Sequence, residues 1–170
     1  MCTDASLSGW GTVFQGISAG GQWLPAEADR HINFLELVAV FLGLQTFCAQ
    51  LRHTHVCLHI DNTTAVTYIN NMGGSHSLTC NAKAREIWLW CTSRHIWLTA
   101  VHLPGHLNTT ADLASRVSHD QTEWQLNPRI FQYLVDNPFQ PNIDLFASRL
   151  NYKLQPYVAW QPDPGGLPLM

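Results

Sequence analysis

Four acidic residues stand where the chain passes from one predicted element to the next, and they are the strongest chemical signal in the sequence. Asp4 lies in a short β-prone start, and Asp61 ends the apolar run Val56–Ile60. Glu36 opens a long apolar helix, and Asp112 begins a short one. Hard divalent cations such as Mg²⁺ prefer oxygen ligands, and one or two of them can drive hydrolysis of a phosphodiester. The four acids therefore predict a divalent-metal site and a nuclease.

Helix capping would account for the same acids in purely structural terms. The capping candidates are Asn33 with Glu36, Thr109 with Asp112, and Asp61 alone before the helix that follows it. Such caps are common and contribute about 1 kcal/mol each. Asp4 differs, because an acid in a strand expected to be central needs a partner or an ion to offset its desolvation. Taken together, the four acids favour a metal site, although one residue can both cap and bind.

The charge of the chain argues against strong autonomous binding of nucleic acid. The 170 residues include 9 Lys and Arg against 12 Asp and Glu, so the net charge is −3. Proteins that bind nucleic acid tightly usually carry a basic face, because neutralised phosphates supply most of the affinity. A nuclease can still be acidic if metal ions neutralise its site or a neighbouring domain supplies binding surface. We therefore expect weak binding by this chain alone.

The cysteines and the hydropathy pattern predict an intracellular protein. The five cysteines are odd in number and show no CxxC spacing. This is typical of small buried apolar residues in a reducing compartment, rather than of disulfides or a zinc knuckle. No apolar run is long enough to span a membrane, and no signal peptide opens the chain. These features predict a cytoplasmic or nuclear location with no membrane partner.

Hydrophobic periodicity predicts an α/β domain followed by an irregular extension. The expected order is three antiparallel strands, a helix, a strand, two helices, a strand and a helix. We place a domain boundary near Ser118, with one domain over 1–118 and a proline-rich extension over 119–170. Trp124–Val135 is a candidate for one further helix in the extension. At this length the first domain can bury a real core.

Two other side-chain groups suggest weaker alternatives. His53, His55 and His59 alternate onto one side of a predicted strand, which raises the possibility of zinc. No cysteine or carboxylate completes a typical structural set, so surface or partly buried histidines are the simpler interpretation. Trp90 falls opposite the core stripe of its helix, where it could stack on nucleic acid or pack against a neighbouring domain.

Five sequence motifs contain or border the four acids. The motifs are, in order, Thr3-Asp4-Ala5-Ser6 with Gly9-Trp10-Gly11, His31-Ile32-Asn33-Phe34-Leu35-Glu36-Leu37, Asp61-Asn62-Thr63-Thr64-Ala65, His102-Leu103-Pro104-Gly105-His106, and Asn108 with Ala111-Asp112-Leu113-Ala114-Ser115-Arg116. Together they resemble the ribonuclease H domain of DIRS-type retroelement polyproteins. Downstream, Ile143–Asn151 is similar to the segment that follows ribonuclease H in those polyproteins. Any one motif is weak evidence, whereas five in the right order are strong.

The resemblance implies a ribonuclease H-like fold, with a mixed five-stranded sheet of three antiparallel strands and then two parallel ones, flanked by helices. It also implies hydrolysis of the RNA strand of an RNA–DNA hybrid with two Mg²⁺ ions, for which Mn²⁺ can substitute. The implied metal ligands are Asp4, Glu36, Asp61 and Asp112, the implied mobile catalytic histidine is His106, and the implied substrate contacts are Ala5, Ser6, Asn33, Asn62 and Asn108. The implied partner is a reverse transcriptase domain upstream in the parent polyprotein.

Two departures from the family pattern keep other functions open. Only three residues precede Asp4, so the chain could be a fragment of a polyprotein or a relic with a frayed first strand. The segment between Gly73 and Asn81 is too short for the extra helix and basic handle of some cellular ribonucleases H. The alternatives are a domesticated or truncated relic that acts as a non-catalytic interaction module, and another metal nuclease on the same scaffold.

Overall fold

The computed structural model describes residues 1–116, 125–136 and 141–168. The chain divides into two compact units, Met1–His119 and Asp120–Met170. Within the described residues, no helix is long and apolar enough to cross a membrane.

The first unit is built on a five-stranded mixed sheet. Its strands are β1 (Cys2–Ala5), β2 (Gly9–Phe14), β3 (Ile17–Gln22), β4 (Thr54–Ile60) and β5 (Ile96–His102). They lie in the order β3-β2-β1-β4-β5, in which β1–β2 and β2–β3 are antiparallel while β1–β4 and β4–β5 are parallel. The predicted fold class is therefore confirmed, and β1 is the central strand.

Helices flank this sheet in the predicted order, with one short addition. They are α1 (Pro25–Ala28), α2 (Ile32–Phe47), α3 (Thr63–Asn70), α4 (Leu78–Thr92), a 3₁₀ turn (Gly105–Leu107) and α5 (Thr109–Arg116). The short helix α1 was not predicted. Only seven residues, 71–77, separate α3 from α4, so no further helix lies between them, as the short Gly73–Asn81 segment indicated.

Helix α2 is the central element of the core. Every residue from Leu35 to Leu44 is buried, so this helix has no exposed face over ten residues. One side packs with α3, α4, β4 and β5, and the other packs with Trp10, Ala19 and Trp23. A helix that is apolar all round is buried all round, and α2 thereby carries an acid, Glu36, into the interior.

Helix α5 lies against the antiparallel half of the sheet at a distance that only glycine permits. A Cβ on Gly11 would lie 2.5 Å from the backbone N of Ser115, and closer still to the carbonyl oxygen of Ala111. A Cβ on Gly20 would lie 2.6 Å from the carbonyl oxygen of Ala114. The backbone of α5 therefore rests directly on β2 and β3, which fixes the height of its side chains over the sheet.

The second unit contains helix α6 (Pro128–Asp136) and a small parallel sheet of β6 (Asp144–Leu145), β7 (Tyr157–Ala159) and β8 (Leu167–Pro168), in the order β6-β7-β8. Among its described residues, Ala147, Tyr157 and Ala159 form a buried apolar cluster. The helix predicted over Trp124–Val135 is present as α6, although Trp124 itself lies outside the described residues. The sheet was not predicted, because strands of two or three residues show no periodicity.

Candidate metal centre

Three of the four predicted acids converge at one end of the central strand. Asp4, Glu36 and Asp61 each offer a carboxylate oxygen, and these oxygens all lie within 4.8 Å of one another. Asp4 and Glu36 are buried, at 4% and 3% exposure, while Asp61 is half-buried. We call these residues the three-acid cluster. Among the described residues it is the only group of three or more histidine, cysteine or acidic side chains with this geometry.

Strand pairing brings Asp4 and Asp61 together. Strands β1 and β4 are parallel neighbours, and Thr3 is in register with Ile60. Asp4 and Asp61 each follow one member of that pair. Because carboxyl ends of parallel strands meet at one edge of the sheet, the two carboxylates share that edge.

Helix α2 supplies Glu36 from one turn inside the helix. The N-cap is His31, whose Nδ1 accepts a hydrogen bond from the N–H of Asn33, so the proposed Asn33–Glu36 capping pair is wrong. The capping role considered for Asp61 is also wrong, because Asn62 caps α3 by accepting from the N–H of Ala65 at 2.9 Å. Neither acid therefore serves as a helix cap.

The electrostatics of the cluster are unfavourable without a cation. Burial, with Asp61 and Asp4 nearby, raises the pKa of Glu36 from 4.5 to about 9. Burial also raises the pKa of Asp4, and the hydrogen bond from Ser115 only partly opposes this. The backbone N–H of Ala5 is near enough to the Glu36 carboxyl to oppose part of the rise in the pKa of Glu36. Even so, Glu36 Oε2 is buried with no hydrogen-bond partner among the described residues.

The fourth predicted acid, Asp112, does not join the three-acid cluster. Its carboxylate pairs with Arg116 four residues later in α5, with Nε and Nη2 each 2.6 Å from Oδ1. It still contributes to the raised pKa of Asp4, so it lies within electrostatic reach. Asp112 also stands in the first turn of α5, where a negative charge is favourable. The structure thus places it beside the cluster, with a cation of its own.

Ser115 is a site residue that the sequence did not identify as one. Its Oγ donates a 2.6 Å hydrogen bond to Oδ2 of Asp4. The sequence around Ser115 contains no nucleophile motif, and no local pattern points to this contact. The two residues are 111 positions apart, and they meet only because α5 packs on the glycines of β2 and β3.

The 3₁₀ turn places His106 next to the exposed side of the cluster. A Cβ on Gly105 would lie 3.2 Å from Oδ2 of Asp61, so the turn packs against that carboxylate. His106 itself is exposed. At the end of β5, the Nε2 of His102 lies 3.1 Å from the carbonyl oxygen of Asp61. One exposed imidazole, that of His106, therefore belongs to the turn that borders the acids.

Three of the predicted substrate contacts are half-buried near the helix starts and the first turn. The Asn62 amide donates to Oδ1 of Asn33 at 2.9 Å, which ties the start of α3 to the start of α2. The Ser6 hydroxyl donates to the carbonyl oxygen of Ser115 at 2.7 Å. Each side chain therefore has an intramolecular role, and contact with a substrate stays a prediction.

The other two residues predicted to contact substrate, Asn108 and Ala5, are buried. Asn108 is 2% exposed, and its Nδ2 donates to the carbonyl oxygen of Thr3 at 2.9 Å. Ala5 is buried, and its backbone N–H lowers the pKa of the nearby Glu36 carboxyl. Asn108 thereby fixes the loop after β5 to β1, and contact of either residue with a substrate stays a prediction.

His53, the histidines of β4 and Trp90 make ordinary structural contacts. The His53 ring stacks on His95 at 4.6 Å, and His55 Nε2 lies 2.8 Å from the Thr99 hydroxyl. Within the described residues these histidines form no metal-binding group. Trp90 is half-buried with its ring against Phe41, and the guanidinium of Arg94 lies 4.0 Å from the ring centroid. Trp90 therefore packs within the domain.

Comparison of the sequence with protein-family models and with curated proteins found no match. The resemblance to retroelement ribonucleases H therefore remains a prediction from the motifs. The function has to be inferred from the residues of the site.

Proposed function

We propose that this chain is a metal-dependent nuclease of the ribonuclease H type, which hydrolyses the RNA strand of RNA–DNA hybrids. The observation that carries the proposal is the three-acid cluster at the end of the central strand. Among the described residues, no ion pair to a basic side chain is formed by any of the three acids. A buried group of like charges in that situation is stable only if it is protonated or if it binds a cation.

The residues of the cluster fit a hard divalent cation. Every candidate ligand is a carboxylate oxygen, which is the chemistry that Mg²⁺ and Mn²⁺ prefer. The buried Oε2 of Glu36, which has no hydrogen-bond partner among the described residues, is a ligand atom of the same kind. Asp4, Glu36 and Asp61 would hold the metal, and Asp112 would join them if its carboxylate turned away from Arg116.

The roles of the individual residues follow from their burial. When bound, one or two such ions activate a water and stabilise the charge on the leaving 3′ oxygen. Asp4 and Glu36 are buried and would fix the position of the bound cation. Asp61 is the most exposed of the three acids, so a phosphodiester would approach from its side. His106, exposed on the adjacent turn, would carry a proton on an imidazole nitrogen during product departure, a task that suits a histidine, whose ordinary pKa is about 6.5.

The preference for a hybrid is proposed from the motif resemblance and from the neighbours of the site. RNA differs from DNA by its 2′-hydroxyl groups, which proteins read across the minor groove. The linked amides of Asn33 and Asn62 lie at the start of α2, which carries Glu36, and at the start of α3, which follows Asp61, and they are suited to such contacts. Because the chain has only 9 Lys and Arg, an upstream reverse transcriptase domain would supply much of the affinity for the duplex.

The direct test is cleavage of an end-labelled RNA–DNA hybrid by the purified chain, first with Mg²⁺ and then with Mn²⁺. Asp61→Asn should abolish cutting of the RNA strand while the circular dichroism spectrum is retained. Asp29→Asn, a matched exchange at an exposed position outside the cluster, should cut normally. Retained cutting by Asp61→Asn, or a preference for DNA alone, would contradict the proposal.

A second candidate function is a non-catalytic interaction module, and the Asp112–Arg116 pair favours it. An acid that already has a cationic partner gains less from a metal ion, so this site could be a relic that binds metal weakly. In that case Mg²⁺ would not raise the melting temperature and no hybrid would be cut. A folded chain that binds metal but cuts only when the polymerase segment is added would instead support the enzyme.

A further inference from the structure

Ser115 makes two contacts that a single hydroxyl proton cannot serve equally. Its Oγ lies 2.6 Å from Oδ2 of Asp4 and 2.9 Å from the carbonyl oxygen of Asp112. A hydrogen bond to a carboxylate is shorter and stronger than one to a neutral carbonyl. The proton is therefore donated to Asp4, and the carbonyl oxygen of Asp112 lies beside the hydroxyl without receiving that proton.

The backbone of Ser115 cannot withdraw from this contact. Its N packs against Gly11, where even a methyl group would collide. Its carbonyl oxygen accepts a 2.7 Å hydrogen bond from the hydroxyl of Ser6. The residue is 2% exposed, so water does not compete for the hydroxyl. Ser115 is thus held on both sides while its side chain points at one oxygen of Asp4.

We propose that Ser115 is a positioning residue for the metal centre, which holds the Asp4 carboxylate in the orientation that binds a cation. With Oδ2 engaged by the hydroxyl, Oδ1 keeps its full capacity as a ligand. The same contact couples α5, which carries Asp112, to the central strand. The inference rests on the proposed metal site and not on the identity of the substrate.

Loss of this hydroxyl should weaken metal binding. Removing an outer hydrogen-bond partner of a metal ligand typically reduces metal affinity by roughly tenfold to a hundredfold. Ser115→Ala removes the hydroxyl without adding bulk. Ser115→Cys keeps a side chain of similar size with a weaker donor and should give an intermediate affinity, which provides a second test if the alanine variant folds poorly.

Ser93→Ala is a matched control. The Ser93 hydroxyl donates to the carbonyl oxygen of Trp90, three residues earlier, at 2.8 Å. In both serines the hydroxyl oxygen lies near the carbonyl oxygen three residues earlier, but Ser93 is exposed, follows the end of α4, and accepts from the Arg94 guanidinium at 3.0 Å where Ser115 donates to a carboxylate. Ser93→Ala therefore tests whether loss of a local serine hydrogen bond alone changes the affinity for metal.

The experiment is titration of the full chain with Mn²⁺ alone, by isothermal calorimetry, with no nucleic acid present. The expected result is roughly tenfold to a hundredfold weaker binding by Ser115→Ala, intermediate binding by Ser115→Cys, and unchanged binding by Ser93→Ala. Equal or tighter binding by Ser115→Ala would overturn the inference and leave the metal site intact. A wild-type chain that does not bind Mn²⁺ would overturn the metal site and the inference together. Because no nucleic acid is present, the result does not depend on whether the chain cleaves RNA–DNA hybrids.

Discussion

Replacing Glu36 by glutamine should stabilise the metal-free protein at alkaline pH, although the residue is buried. The reason is the pKa of Glu36, which burial and the neighbouring Asp61 and Asp4 raise from 4.5 to about 9. Between these two values the folded protein retains a proton that the unfolded chain has released. Stability must therefore fall as the pH rises through this interval.

The size of the effect follows from the two pKa values. One pKa unit corresponds to about 1.4 kcal/mol, and raising the pH from about 5 to about 8 covers most of the interval. The free energy of unfolding should then decrease by roughly 4 kcal/mol through Glu36 alone. Asp4, whose pKa is also raised, acts in the same direction. This is a large part of the roughly 5–15 kcal/mol that typically stabilises a domain.

Glutamine reproduces the protonated form of Glu36. It is neutral at every pH, it has the same shape, and its amide can donate to Asp61 as the protonated acid can. The Glu36→Gln variant should therefore lose the Glu36 part of the pH dependence. Its stability should match that of the wild type near pH ~5 and exceed it near pH ~8.

Urea unfolding in EDTA at a series of pH values measures this difference. Glu86→Gln is the matched control, because Glu86 is exposed and its ion pair with Lys83 lies on the surface, where such a pair contributes little. A Glu36→Gln variant with the same pH dependence as the wild type, or one less stable than the wild type at alkaline pH, would refute the assignment of a neutral, buried Glu36.

Three further predictions concern metal binding by the three-acid cluster and the packing contacts that hold the cluster in place. Mg²⁺ should raise the melting temperature more at pH ~8 than at pH ~6, because the ion must displace a proton from Glu36. At a concentration of a hundred times its dissociation constant, the ion should add about 2.7 kcal/mol to the free energy of unfolding. An equal rise in melting temperature at both pH values would count against Glu36 as a ligand. Gly11→Ala should lower the free energy of unfolding in urea by about 3 kcal/mol, because the added methyl group would collide with the backbone of α5. Gly16→Ala is the control: the space around Gly16 is open, so this variant should lose only about 1 kcal/mol, from the positive φ at that position. Equal losses would contradict the close approach of α5. Asn108→Ala should cost about 1–3 kcal/mol by leaving the buried Thr3 carbonyl without its partner, and an unchanged stability would mean that this contact does not fix the loop.

The element order and the convergence of three acids could be predicted because they depend on local patterns. Apolar period and turn residues mark each strand and helix, and parallel pairing then forces the residues after Thr3 and Ile60 to one edge of the sheet. The acid in α2 could be placed nearby only through the resemblance. Its depth in the core follows from the unbroken buried run from Leu35 to Leu44.

The parts that could not be predicted depend on contacts between distant residues. Glycines in β2 and β3 look like turn signals in the sequence, and their role under α5 emerges only once the sheet is paired. Ser115 reaches Asp4 through that packing, and no local pattern marks it. The ion pair between Asp112 and Arg116 is an exception. Its i, i+4 spacing is typical of a helical ion pair, so the sequence could have predicted it.

The most direct test of the metal centre is a crystal of the protein soaked in Mn²⁺ and measured near the manganese absorption edge. We predict an anomalous peak within bonding distance of the carboxylate oxygens of Asp4, Glu36 and Asp61, and its loss in the Glu36→Gln variant. Ordered manganese found only at other sites, with the three-acid cluster unchanged, would contradict the assignment of a metal centre to these residues.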